Sequence, residues 1–95
     1  TENFSFDNIY NYPNPFNPFT ILRYDLLKDG LVNITVYDML GNVVNNLVNA
    51  NQLSGNKLIR WDATNNQGQP VSAGVYLYSI ETEDFRQTRK MILLK

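Results

Sequence analysis

Apolar and polar positions alternate along most of this chain, and the alternation is sharpest near its end. From Gly74 to Thr82, Tyr76, Tyr78 and Ile80 fall on one face of an extended segment; Val75, Leu77 and Ser79 fall on the other. Glu81, Glu83 and Asp84 then break the pattern, which predicts a solvated hairpin connection. The run that follows places Phe85, Met91 and Leu93 on one face, with Arg86, Thr88 and Lys90 opposite. A final strand of this kind ties the end of the chain into a sheet.

Earlier segments follow the same period. Thr20 to Leu27 alternates Leu22, Tyr24 and Leu26 with Ile21, Arg23 and Asp25. Lys28-Asp29-Gly30 reads as a turn, and its aspartate–glycine pair predicts a tight hairpin. Leu31 to Met39 turns Val32, Ile34 and Val36 inward and Asn33, Thr35 and Tyr37 outward; Gly41-Asn42 supplies the next turn. Val43 to Val48 is a shorter strand, followed by a polar loop over Asn49 to Gly55. Lys57 to Trp61 restores the alternation with Ile59 and Trp61 facing in, and a turn-rich connection leads from Asp62 to Gly74.

The beginning is different. Thr1 to Asn11 is polar and aromatic, with Phe4, Phe6, Ile9 and Tyr10 as candidate anchors, and residues 1–8 read as a linker end or edge strand. Asn11 to Phe19 carries Pro13, Pro15 and Pro18, which cannot donate to a ladder and push their predecessors toward extended geometry. Tyr12, Phe16 and Phe19 are expected to pin this stretch to the core. Short strands, frequent turns and no helical period together predict an all-β fold: an immunoglobulin-like antiparallel β-sandwich of about seven strands, one domain over residues 1–95. In such a sandwich Trp61 is a core residue, and the Tyr76 hydroxyl bonds back to nearby backbone.

Composition narrows the chemistry. Ninety-five residues suffice for one core, and 43% hydrophobic content argues against disorder. A net charge of −1 gives no footprint for nucleic acid, although Arg86, Arg89, Lys90 and Lys95 crowd the last ten positions. The chain has no cysteine and no histidine, so thiol chemistry and the commonest general base are missing. Asp25, Asp38 and Asp62 lie on separate segments, not as a carboxylate pair across a cleft, and no catalytic residues are assigned. Asp62, Asn65, Asn66 and Gln67 offer oxygen atoms within one loop, but their spacing is not that of an EF-hand; calcium there is left open and no metal site is assigned. No cofactor is implied. Tyr10, Tyr12, Tyr37 and Tyr78 would serve a sugar-binding face only if they lined up on one surface. No apolar run is long enough to span a membrane as a helix, and Thr1 to Asn8 lacks the pattern of a signal peptide. The absence of a starting methionine suggests a piece of a longer protein.

Three blocks carry a resemblance: YPNPFNP near the start, YDMLGNVV in the middle, and WDATNNQGQPVSAGVYLYSIET with TRKMILLK at the end. They resemble the C-terminal sorting domains of the type IX secretion system, type A, over Ile9 to Lys95. The family's asparagine–proline block and glycine-containing turn match Pro13, Asn14, Pro15, Asp38 and Gly41, and Gly74 and Tyr76 match its late strand. The resemblance implies a noncatalytic signal on a larger cargo that crosses the inner membrane, passes through the periplasm and meets the outer-membrane translocon and a surface sortase. It would then reach the cell surface or the medium. The family's basic–apolar end is matched by Lys90, Met91, Ile92, Leu93, Leu94 and Lys95, and Arg89 adds charge beside it, so these seven are the candidate recognition residues. A free edge on the last strand would let a partner add a strand. The immunoglobulin-like domain of flagellar hook-capping proteins shares the aspartate–glycine turn and the SAGVY approach. A structural or accessory module, of that kind or attached to a secreted hydrolase, is the alternative.

Overall fold

The computed structural model describes residues 9–83 and 86–94. Over these residues the strands are β1 (Tyr10–Tyr12), β2 (Thr20–Leu26), β3 (Gly30–Tyr37), β4 (Val43–Gln52), β5 (Gly55–Trp61), β6 (Gly74–Glu81) and β7 (Arg86–Leu93). They form a three-stranded sheet, β1-β2-β5, and a four-stranded sheet, β4-β3-β6-β7, with every strand pair antiparallel. The expected seven-stranded sandwich is what forms. The expected linker or edge strand over residues 1–8, the face assigned to Phe85 and the place of Lys95 lie outside the described residues.

Period-two alternation positions the core. Leu22, Tyr24 and Leu26 of β2 meet Val32, Ile34 and Val36 of β3, Tyr76, Tyr78 and Ile80 of β6, and Met91 and Leu93 of β7, all buried in one cluster with Trp61. Trp61 links aromatic members of that cluster. Its ring lies 5.7 Å from that of Phe16 and 5.4 Å from that of Tyr76, the latter edge-on, and its Nε1–H donates to the Thr64 carbonyl at 2.8 Å.

Several expectations need correction. Lys28-Asp29-Gly30 does not close a hairpin, because β2 and β3 belong to different sheets. The Asp29 carboxylate instead accepts the Ser54 N–H at 2.8 Å, tying this crossover to the one between β4 and β5. Turn residues report that the chain reverses; they do not report which strand the returning segment joins. The polar stretch Asn49 to Gln52 is not loop but the second half of β4, paired with Gly30 to Asn33. Backbone pairing extends it, and its solvated edge position removes the apolar pattern. Thr35 and Ser79, expected outside, are buried under polar side chains. Asn46 reaches from β4 to donate to Thr35 Oγ1 (3.0 Å) and Asn33 Oδ1 (2.7 Å), and Arg86 Nε donates to Ser79 Oγ (3.2 Å). Tyr12 does not pin the first loop, because Asn11 is the inward residue of β1 and both neighbouring tyrosines face solvent.

Two predictions follow from the core. Trp61→Ala should lower the unfolding free energy by about 3–5 kcal/mol in urea titrations, through the cavity left between Phe16 and Tyr76. Burial pushes the Tyr78 hydroxyl up to about 12 against the opposing influence of Arg89. A raised tyrosine pKa contributes stability that is complete below the unfolded value of 10.0 and is lost as pH rises toward 12. Stability should therefore decline across that window, and Tyr78→Phe should flatten the decline relative to the parent in pH-dependent melts.

Candidate functional site

Strand register brings the scattered sequence blocks to one end of the sandwich. Thr20 pairs with Trp61, Tyr37 with both Val43 and Leu77, and Gly74 with Leu93, so these positions share an end. The β1–β2 connection, the β3–β4 turn, the long β5–β6 connection and the finish of β7 all emerge there. Pro13, Asn14, Pro15, Asp38, Gly41 and Gly74 therefore gather at one end, with Tyr76 buried beneath them.

The first block is built onto the last strand. Phe16 N–H donates to the Ile92 carbonyl (2.9 Å), and Leu94 N–H donates to the Phe16 carbonyl (2.8 Å), as a parallel bridge. Prolines on either side of Asn14 offer no N–H, and the asparagine side chain takes over. Its Oδ1 accepts the Ile92 N–H (3.0 Å), and its Nδ2 donates to the Lys90 carbonyl (3.3 Å). A primary amide carries a donor and an acceptor as a peptide unit does, so Asn14 continues a ladder that proline would interrupt. The base of this segment is held by Thr20, whose hydroxyl donates to the Pro13 carbonyl (2.8 Å) and accepts from Asn11 Nδ2 (3.3 Å). Phe16 is buried against Trp61, and Phe19 is half-buried with the Arg60 guanidinium 4.1 Å from its ring centroid.

This closure corrects the expectation of a free edge for the last part of β7. From the Lys90 carbonyl to the Leu94 N–H, the outward backbone groups are already occupied by Asn14 and Phe16. The opposite edge strand, β4, is treated alike: Asn66 N–H donates to the Val44 carbonyl (3.0 Å) while Asn66 Oδ1 accepts the Asn46 N–H (3.0 Å).

The β3–β4 turn is fixed by Asp38. One carboxylate oxygen accepts the N–H groups of Leu40 and Asn42, both at 2.9 Å, and the other accepts Asn42 Nδ2 (3.2 Å). The backbone closes the same loop through Asp38 N–H to the Asn42 carbonyl (3.0 Å), with Gly41 at φ +89°. Hydrogen bonding by Asn42 first, and by Leu40 and Gly41, holds the carboxyl below its ordinary value. Behind it the Tyr76 hydroxyl donates to the Ser72 carbonyl at 2.6 Å, the backbone bond expected of it. Burial raises that hydroxyl's pKa, the Ser72 bond opposes the rise, and the Asp38 charge adds to it.

The candidate recognition residues divide by face. Met91 and Leu93 are fully buried and belong to the core. Lys90 and Leu94 are exposed, while Ile92 and Arg89 are half-buried, Arg89 opposite Tyr78 on the inward-facing side of the strand. Three of the oxygens weighed for a cation in the 62–67 loop hold hydrogen bonds within the fold. Asn65 Oδ1 accepts the N–H groups of Gln67 and Gln69 at 3.0 and 2.9 Å, Asn66 Oδ1 serves β4, and Asp62 Oδ1 accepts the Thr64 hydroxyl at 2.6 Å. No group of three or more histidine, cysteine or carboxylate residues assembles among the described residues. The four tyrosines do not form one sugar-binding face: Tyr78 is buried and Tyr37 half-buried in the four-stranded sheet, while Tyr10 and Tyr12 are exposed on the three-stranded one.

The fold and the site together define a β-sandwich whose motif residues gather at one braced end. The chain belongs to the family described as the secretion system C-terminal sorting domain, which matches residues 10–94. No curated protein matches it. Among solved structures it is similar to dimeric latent PorU from Porphyromonas gingivalis (TM-score 0.70, 23% identity, 90% of this chain and 9% of that one). It is also similar to PorZ, an essential surface component of the type IX secretion system of the same organism (0.65, 16%, 94% and 12%). A third likeness is to FlgD from P. aeruginosa (0.60, 25%, 78% and 58%). The chain thus spans a small part of the first two proteins, and their likeness is one of fold. As a sorting domain of the type IX kind it is associated with export to the cell surface or medium, and its family is noncatalytic.

Asn14→Ala should test the bracing of β7. Removing both amide contacts should cost about 1–3 kcal/mol and speed hydrogen exchange at the Ile92 amide, with the Tyr78 amide in β6 little changed.

Proposed function

We propose that residues 1–95 form a single folded secretion signal that routes a larger N-terminal cargo from the periplasm through the type IX outer-membrane translocon, where a surface sortase acts on it. The observation that carries this reading is the convergence of the motif residues with the end of β7 at one end of the sandwich. Arg89, Lys90, Met91, Ile92, Leu93, Leu94 and Lys95 are assigned to recognition, in two ways. Lys90, Ile92 and Leu94 present side chains to the partner, with Arg89 and Lys95 adding charge; Met91 and Leu93 hold that surface in shape from within the core. Because Asn14 and Phe16 occupy the outer backbone of β7 between the Lys90 carbonyl and the Leu94 N–H, the reading calls there for a partner that contacts side chains and not one that adds a strand.

An export assay tests this. The whole chain is fused behind a signal peptide and fluorescent reporter in a host with the type IX system. Lys90→Ala should shift stability by less than about 0.5 kcal/mol yet reduce reporter outside the cell. Leu93→Ala should cost about 2–5 kcal/mol and reduce export with it. Normal export of a stably folded Lys90→Ala variant would argue against that lysine's role, and retention of the folded parent fusion in the periplasm would remove the sorting reading altogether.

A further inference from the structure

The β3–β4 turn carries a feature that its own folding does not require. Asp38, Gly41 and Asn42 supply the hydrogen bonds and the left-handed backbone that close it. The positions between them are occupied by Met39 and Leu40, 62% and 87% exposed, followed by Val43 at 56%. Turn tips in soluble proteins are usually polar, and single exposed apolar residues are unremarkable; here three exposed apolar residues lie within five positions of one hairpin. The tip is rigid as well as apolar. Leu40's own N–H is bound by the Asp38 carboxylate, so the side chain leaves a fixed backbone. An apolar group held in place before binding loses less conformational freedom when it is buried.

We infer that Met39 and Leu40 are an apolar anchor that enters a pocket on the protein receiving the end of β7, an inference that rests on the sorting reading above. The tip stands at the same end of the sandwich as Leu94, itself half exposed at 51%, and as the block that braces β7. One partner surface therefore meets both. β1 runs from Tyr10, paired with mid-strand Arg23, to Tyr12, paired with Ile21, and so points toward this end. The Asp38 carboxylate at the base of the tip selects a protein pocket over a lipid surface. Its hydrogen bonds favour the ionised form, and driving the tip into acyl chains would desolvate that charge. A protein pocket takes the two side chains and leaves the carboxylate at a wet rim.

The test uses the same full-chain reporter fusion with Met39→Ser and Leu40→Ser combined. Because both side chains are exposed, the melting temperature should stay at the parent value. Export should fall by about tenfold or more, the loss expected when two anchors leave an interface. The swap of Met39→Leu with Leu40→Met, which keeps an apolar tip, should restore it. Parent-level export of the serine variant, in a host where Lys90→Ala is impaired, would overturn the anchor while leaving the sorting reading intact. A concentration-dependent dimer abolished by the serine variant, with export unchanged, would assign the tip to self-association and overturn it equally. Failure of the folded parent fusion to leave the periplasm removes the sorting reading and the anchor with it.

Discussion

The rest of this structure depends on how β7 is closed. A strand at the edge of a sheet exposes a row of backbone groups that invite further pairing. Here the row is taken up, from Lys90 to Leu94, by a segment from the other end of the chain. That segment is rich in proline, which suits a cover: it satisfies the strand on one side and offers few N–H groups on the other. The asparagine amide makes this possible by standing in for a peptide unit between two prolines. Asn66 performs the corresponding service on β4, so at this end both edges of the four-stranded sheet are blunted by an asparagine from a loop. The covers themselves are fixed from inside. Phe16, Trp61 and Tyr76 form a run of ring contacts from the proline block through β5 to β6, while Trp61 and Tyr76 bond to carbonyls at the two ends of the long β5–β6 connection.

Much of this was legible in the sequence, for a physical reason. Side chains on a strand alternate whatever the strand's neighbours are, so Tyr76, Tyr78, Ile80, Met91 and Leu93 were identifiable as core without knowing the sheet order. The Tyr76 corner was legible too, because its bond is local. What pairing adds was hidden. The aspartate–glycine turn at Asp29 looked like a hairpin because turn chemistry is the same for a hairpin and a crossover. The second half of β4 looked like loop because an edge strand can be held by backbone bonds alone. Thr35 and Ser79 looked solvated because the covering Asn46 and Arg86 lie elsewhere in the sequence.

The candidate site shows the same division. Its residues could be picked out block by block, but their meeting at one end is a consequence of register, and the Asn14–Ile92 contact joins nearly the two ends of the chain. Prolines around Asn14 pointed to an extended stretch on the domain's own surface, which is where it lies; they did not reveal which strand it would cover. The exposure of Met39 and Leu40 was equally invisible. In sequence Met39 closes the expected strand and Leu40 follows it, and only the early finish of β3 at Tyr37 puts both on the turn.

Covering β7 also decides what kind of recognition is economical. A partner that paired with its backbone between Lys90 and Leu94 would first have to lift Asn14 and Phe16 away. Four hydrogen bonds at about 1 kcal/mol each, with roughly 1.5–3 kcal/mol for re-exposing the Phe16 ring, put that near 6 kcal/mol. This is comparable to the whole stability of a small domain, about 5–15 kcal/mol. A partner that reads side chains meets no such barrier, since Lys90 and Leu94 already face water. The alternation of the strand then separates two jobs at adjacent positions: odd-numbered Met91 and Leu93 maintain the fold, and even-numbered Lys90, Ile92 and Leu94 face away from the core. A sorting domain gains from that separation, because the surface it presents is set by its own core.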